Sequence, residues 1–243
     1  MKIDSRKFEL LTKWYLRLNG YFTVGNFVIH AADDSTRISN GTVGNYTDID
    51  VLGIRMPFHF EKTGELEIEN DTKLNCVEKI DIIIAECKTG NQNGLNKIWT
   101  DKNAQAIEYL IKFCGIFKCE NEIKNISSTL IDKLIYEDEK HRIRVVLFGE
   151  TKPTDDKLNF ISLKEILNFL IVDRGGCWTE NDIGIKSIHN TWDNLINEIF
   201  KVSNNQTIDR ENKENQILKI LGQEDKMKAQ AHNTVHTQWR AIV

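Results

Sequence analysis

The sequence predicts a mixed α/β (α+β) domain, with its strands gathered into one sheet between helices. Three observations point there. Amphipathic helical stripes alternate along the chain with short stretches rich in β-formers. One stretch, Asp81-Ile82-Ile83-Ile84-Ala85-Glu86-Cys87-Lys88, is a nearly continuous apolar run. The 243 residues, 40% hydrophobic and 28% charged, have the balance of a globular protein.

Residues 5–19 open the chain with a helix. Phe8, Leu11, Tyr15 and Leu18 recur at helical spacing, Leu10 and Trp14 widen the stripe, and Asn19-Gly20 ends it. Residues 21–24 and 27–30 are β-forming, and 31–46 is a polar, glycine-bearing loop. Residues 48–55 read as a strand and 61–73 as a charged surface excursion. The run at 81–88 is apolar on both faces and is therefore expected at the centre of the sheet, with a loop at 89–94 after it. Helices follow at 102–114 and 126–136, then a strand at 142–148. A helix at 163–171 has Ser162 as its cap and Glu165 three residues on. The next, at 190–200, turns Trp192, Leu195, Ile196 and Ile199 inward. From Val202 the chain is polar apart from Ile217, Leu218, Ile220 and Leu221. That shift divides a domain of residues 1–201 from a tail of residues 202–243. The tail is either a flexible appendage or a helix that packs on a partner, a second copy or another protein.

Composition sets further bounds. The 32 basic and 36 acidic residues leave a net charge of −4, so no globally basic surface is available for unspecific nucleic-acid binding. No apolar run approaches the roughly 18 residues a membrane span needs, and the first residues lack a signal core. The five cysteines form no Cys-x-x-Cys pair and read as reduced thiols, which places the protein in the cytoplasm. His232 and His236 stand four apart in the tail without a third ligand, and an exposed pair is expected.

Chemistry concentrates at strand ends. Side chains alternate along a strand, so Glu86 and Lys88 share a face and Cys87 takes the other. The neighbouring strand segment supplies Asp50, with Asp48 on its face. If the two strands pair, Asp50, Glu86 and Lys88 converge. Two carboxylates with space between them suit Mg²⁺, which takes hard oxygen ligands and keeps room for water and phosphate. A plain structural ion pair uses the same residues. Trp99, between Lys97 and Lys102 in a loop at 96–102, is the candidate for a base-stacking, phosphate-contacting edge; core packing is the default for the other tryptophans.

The ordered set formed by the first helix with Glu9, Gly20-Tyr21-Phe22, Thr47-Asp48-Ile49-Asp50-Val51-Leu52-Gly53-Ile54-Arg55 and Ile84-Ala85-Glu86-Cys87-Lys88-Thr89-Gly90 resembles the PD-(D/E)XK, restriction-endonuclease-like nucleases over about residues 5–150. The gap of 36 residues between Asp50 and Glu86 (86 − 50) is long for that family, and the 61–73 excursion accounts for it. The resemblance implies a restriction-endonuclease-like core and an Mg²⁺-dependent nuclease acting on DNA, with Mn²⁺ able to substitute. It implies Asp50, Glu86 and the Cys87 carbonyl as metal ligands and Lys88 as the residue that orients the attacking water. Glu9 is implied as a further acidic group at the centre, Asp48 as a reserve ligand, and Gln105 with Tyr109 as an auxiliary pair. Restriction, genome defence and repair are all compatible with that activity. A non-catalytic nucleic-acid-binding or protein-interaction module of the same fold is the alternative.

Overall fold

The computed structural model describes residues 2–30, 46–59, 61–63, 66–68, 70–76, 78–100, 102, 104–173 and 193–222. Most of the predicted 31–46 loop, Cys177, Trp178, Trp192, His232 and His236 lie outside the described residues.

The first helix, α1 (Ser5–Leu18), begins where the Asp4 carboxylate accepts the Lys7 amide at 3.0 Å. It ends at Asn19-Gly20, as expected. Gly20 has a φ of +83°, and a Cβ there would strike the His59 ring, so both backbone and space demand glycine. Strands β1 (Phe22–His30), β2 (Tyr46–Arg55) and β5 (Ile80–Lys88) form an antiparallel meander. Between β2 and β5 the predicted excursion contains a separate two-stranded pair, β3 (Glu61–Thr63) and β4 (Leu66–Ile68).

After β5 come α2 (Lys97–Thr100), α3 (Ala104–Phe113), α4 (Glu120–Lys133), β6 (Ile135–Glu137) and β7 (His141–Gly149). β7 runs parallel to β5, which requires this long crossover. The loop predicted at 96–102 thus contains the short α2. The helix predicted at 126–136 starts earlier and stops at Leu134, whose φ of +58° turns the chain into β6. β8 (Asn159–Ser162) is parallel to β7 and leads into α5 (Leu163–Asn168), whose capping box of Ser162 and Glu165 is present as predicted. A π-helical turn, Phe169–Asp173, continues α5. Two helices follow, α6 (Asn194–Ser203) and α7 (Arg210–Gly222).

The sheet is mixed and open, in the order β1-β2-β5-β7, with β6 and β8 sharing the outer side of β7. Helices cover both faces. α1, α5, α6 and α7 pack on one side with Val51, Ile83, Ala85, Val146 and Phe148. α3 and α4 pack on the other with Leu52, Ile82, Ile84, Ile143 and Val145. β5 is thus apolar on both faces and central, as its sequence predicts.

The predicted boundary near residue 201 lies within a described helix, α6, and α7 packs onto this chain's own α1. Ile217 and Leu221 are fully buried in the α1 core. The Asp4 amide donates to the Leu221 carbonyl and the Lys7 ammonium to the Ile220 carbonyl, both at 3.1 Å. The polar composition misled because α7 buries only a narrow stripe of its surface. Among the described residues no helix is long and apolar enough to cross a membrane, and Cys76, Cys87, Cys114 and Cys119 are free thiols.

Leu221→Ala should lower the urea-unfolding free energy by about 2–4 kcal/mol, the usual cost of truncating a core leucine. A change under about 0.5 kcal/mol, as for an exposed site, would show that α7 is not part of the folded unit.

Candidate functional site

The β1–β2 ladder contains a break in alternation. Gly25 pairs with Val51 and Phe27 with Ile49, but no pair joins Asn26 to Asp50, and Asn26 has a φ of +52°. With strict alternation, Ile49 would lie on the same face as Val51. Instead Val51 belongs to the α1-side core and Ile49 to the α3-side core. The kink absorbs one reversal, and Asp50 is left on the α1 side. It lines a cleft of about 490 Å³ together with Glu9, Arg6 and Lys13 of α1.

At the same point β2 leaves β5. Their pairing runs from Arg55–Asp81 to Val51–Ala85 and stops there, whereas β5 stays paired with β7 through Lys88. The Cys87 amide, which a continuing β2 would have paired, donates instead to the Asp50 carboxylate at 2.6 Å. Cys87 packs its side chain against the α1-side core. Burial pushes its thiol up, so it is no ready nucleophile.

Glu86 and Lys88 point to the α3 side. Glu86 is fully buried, and both of its oxygens are engaged: Oε1 accepts the Trp99 indole N–H at 3.1 Å and Oε2 the Lys88 ammonium at 3.3 Å. Lys88 donates a second bond, 2.6 Å long, to the Asn96 amide oxygen. Burial pushes the Glu86 carboxyl up to about 7, with the charge of Asp50 adding to the rise and Lys88 and Trp99 opposing it.

The structure therefore brings the predicted residues together in two groups. Glu9 and Asp50 share the α1-side cleft, while Glu86 and Lys88 pair on the α3 side. The Asp50–Cys87 bond and the charge coupling of Asp50 with Glu86 link them across the gap between the strands. Asp48 pairs with Val28 in the ladder, and its side chain lies outside the described residues. Gln105 and Tyr109 share a face of α3, as their spacing predicts, but that face is exposed. Lys97 and Lys102 are also exposed, and Lys102 lies 3.8 Å from Asp132.

Trp99 does not form the exposed edge expected from its flanking lysines. It is buried, only 4% exposed, and holds Glu86 rather than offering a stacking edge. The turn of helix formed by α2 carries it inward, which the flanking lysines do not reveal. Asn96 was not singled out by its sequence context; its polar side chain gave no periodic or motif signal.

Comparison of the chain with protein-family models, with curated protein sequences and with solved structures returns no match.

Because folding raises the Glu86 carboxyl from 4.5 to about 7, its stabilising contribution is full below pH 4.5 and is lost as pH rises through about 7. In metal-free buffer, wild-type stability should fall relative to Glu86→Gln across that window, by about 3 kcal/mol in all. Urea unfolding of both proteins across the window measures it, and parallel pH profiles would contradict the assignment.

Proposed function

We propose that this protein is an Mg²⁺-dependent nuclease of the restriction-endonuclease-like kind. It hydrolyses phosphodiester bonds of DNA in the cytoplasm, in genome defence, restriction or repair. One observation carries the reading: Asp50, at a kink of β2, is bonded to the main chain of the Glu86-Cys87-Lys88 strand end where β2 and β5 part. The order of α1, the β1-β2-β5 meander, a helical crossover and a parallel β7 supports it.

Asp50, Glu86 and the Cys87 carbonyl would hold Mg²⁺, or Mn²⁺ in its place. These are hard oxygen donors, and two carboxylates with a carbonyl and waters suit such an ion. Among the described residues no group of three His, Cys, Asp or Glu is placed to hold a metal, and one ion bound by both Asp50 and Glu86 requires the Glu86 carboxylate to release Trp99 or Lys88. A buried carboxylate that resists ionisation beside another carboxylate has the electrostatic need a divalent cation meets. When bound, the ion polarises the phosphate and lowers the pKa of a coordinated water. Lys88, anchored by Asn96, orients the attacking water and offsets charge on the phosphate as it becomes five-coordinate. Trp99 keeps the Glu86 carboxylate in place.

A second reading, a non-catalytic binding module of the same fold, is favoured by the engagement of both Glu86 oxygens with Trp99 and Lys88. Titration calorimetry with Mn²⁺ separates the two, since the module reading expects no heat.

Plasmid and linear DNA should be cut in Mg²⁺ and left intact in chelator. Asp50→Ala and Lys88→Ala should each slow cleavage by about 100-fold or more. Undiminished cleavage by both variants would remove these residues from the mechanism.

A further inference from the structure

The α1-side cleft contains cations that the proposed chemistry does not use. Arg6, Glu9 and Lys13 stand three and four residues apart on α1 and line the same wall, facing Asn26 and Asp50 across the cleft. Among the described residues, neither Arg6 nor Lys13 forms a salt bridge. Burial and the neighbouring Arg17 hold the Lys13 ammonium below the usual lysine range, with Asp193 opposing them. An anion beside Lys13 would relieve that repulsion.

The wall opposite carries little side-chain bulk at Gly25. Gly25 has no side chain, and its backbone lies beside the Lys13 stem; a Cβ there would come 3.9 Å from that stem. None of the residues lining the cleft is aromatic. Small-molecule sites are mostly apolar with a few polar groups, and single-strand sites that grip bases use aromatic platforms. This cleft has neither character. Its cations flank the carboxylates Glu9 and Asp50, which by themselves would repel a phosphate.

We propose that Arg6 and Lys13 form a phosphate subsite that seats the sugar–phosphate backbone of a nucleic-acid strand beside Asp50, without reading its bases. The inference rests on the nuclease reading and specifies how that site takes its substrate. Contacts of this kind position a strand and carry no sequence information. They account for substrate capture by a protein of net charge −4.

The test measures anisotropy of labelled DNA oligonucleotides, duplex and single-stranded and of two unrelated sequences, in metal-free low-salt buffer. The full chain is compared with Arg6→Gln/Lys13→Gln and with Lys124→Gln/Lys133→Gln, a pair on α4 remote from the cleft. Glutamine keeps much of each side-chain stem, and thermal melting checks that the variants fold. The Arg6/Lys13 variant should bind more weakly to both sequences alike. Its slope of log affinity against log salt should shrink by about two, one for each lost contact. The α4 variant should keep the wild-type slope. Equal affinity and slope for wild type and the Arg6/Lys13 variant would overturn the subsite while leaving the nuclease reading intact. Loss of binding for only one of the two sequences would overturn its backbone character. Binding of inorganic phosphate with no oligonucleotide binding would make it a free-phosphate site and overturn the proposal. Absence of Mg²⁺-dependent cleavage together with the predicted change in slope would instead sink the nuclease reading and leave the subsite standing.

Discussion

The hydrogen bond from the Cys87 amide to the Asp50 carboxylate is the constraint on which the site depends. β5 is committed to β7 along its whole length, so its β2-facing edge needs acceptors wherever β2 has turned away. A buried amide left without one costs about 1–3 kcal/mol. Asp50 supplies the acceptor from a side chain, and this frees the main chain of β2 to diverge. The divergence opens the sheet at the point where Glu86 and Lys88 emerge. It needs the left-handed Asn26 on the neighbouring strand, because β1 and β2 bend together. Distortions of this kind re-aim a side chain, and here the one re-aimed is a carboxylate.

β5 carries charge at both ends, and the two ends are held differently. At its start, Asp81 is fully buried between Arg144, 2.7 Å away, and the Tyr21 hydroxyl, with Arg55 at 3.7 Å. Arg55 and Arg144 spend further donors on the carbonyls of Leu74, Cys76 and Lys73, pinning that segment to the sheet. Two guanidinium groups in fixed geometry suit a permanent tie. At the other end the cation is a lysine with rotatable donors, its acceptors are a carboxylate and an amide, and a cleft lies beside it across the sheet.

Much of this was legible in the sequence because it follows from period and local chemistry. Helix α1 and its Asn19-Gly20 stop, the central place of β5 and the Ser162–Glu165 capping box each depend on residues close in sequence. The misses depend on contacts distant in sequence. The α7 stripe of Ile217 and Leu221 is too narrow to announce burial, and it is the Asp4 and Lys7 contacts that fasten it to α1. Trp99 between two lysines looks like a surface aromatic until α2 turns it onto Glu86. Alternation correctly put Glu86 and Lys88 on one face but could not foresee the reversal at Asn26 and Asp50. A left-handed asparagine in a strand has no signature beyond the residue itself. As a result, the single convergence point expected for Asp50, Glu86 and Lys88 is a pair of half-sites joined through the main chain of Cys87.

The energetics of Glu86 bear on why such an arrangement is kept. Its carboxylate is fully buried, its pKa is pushed up to about 7, and its ion pair with Lys88 is 3.3 Å long. A buried ion pair is weak evidence for stability, since a well-packed apolar pair of similar volume is often as stable or more so. The surroundings offer that alternative: Ile82 and Ile84, earlier on the same face of β5, are buried in the α3-side core with Trp99. An apolar residue at position 86, with one at 99 in place of the indole N–H that Glu86 accepts, would extend that core. The charged strand end therefore works against the stability of the fold at neutral pH, and strongly perturbed carboxyls of this kind cluster at functional sites. The same argument does not reach Asp81, whose two arginines also hold backbone carbonyls that would otherwise need partners. Of the two polar ends of β5, the one beside the cleft is the one whose charges folding alone does not explain.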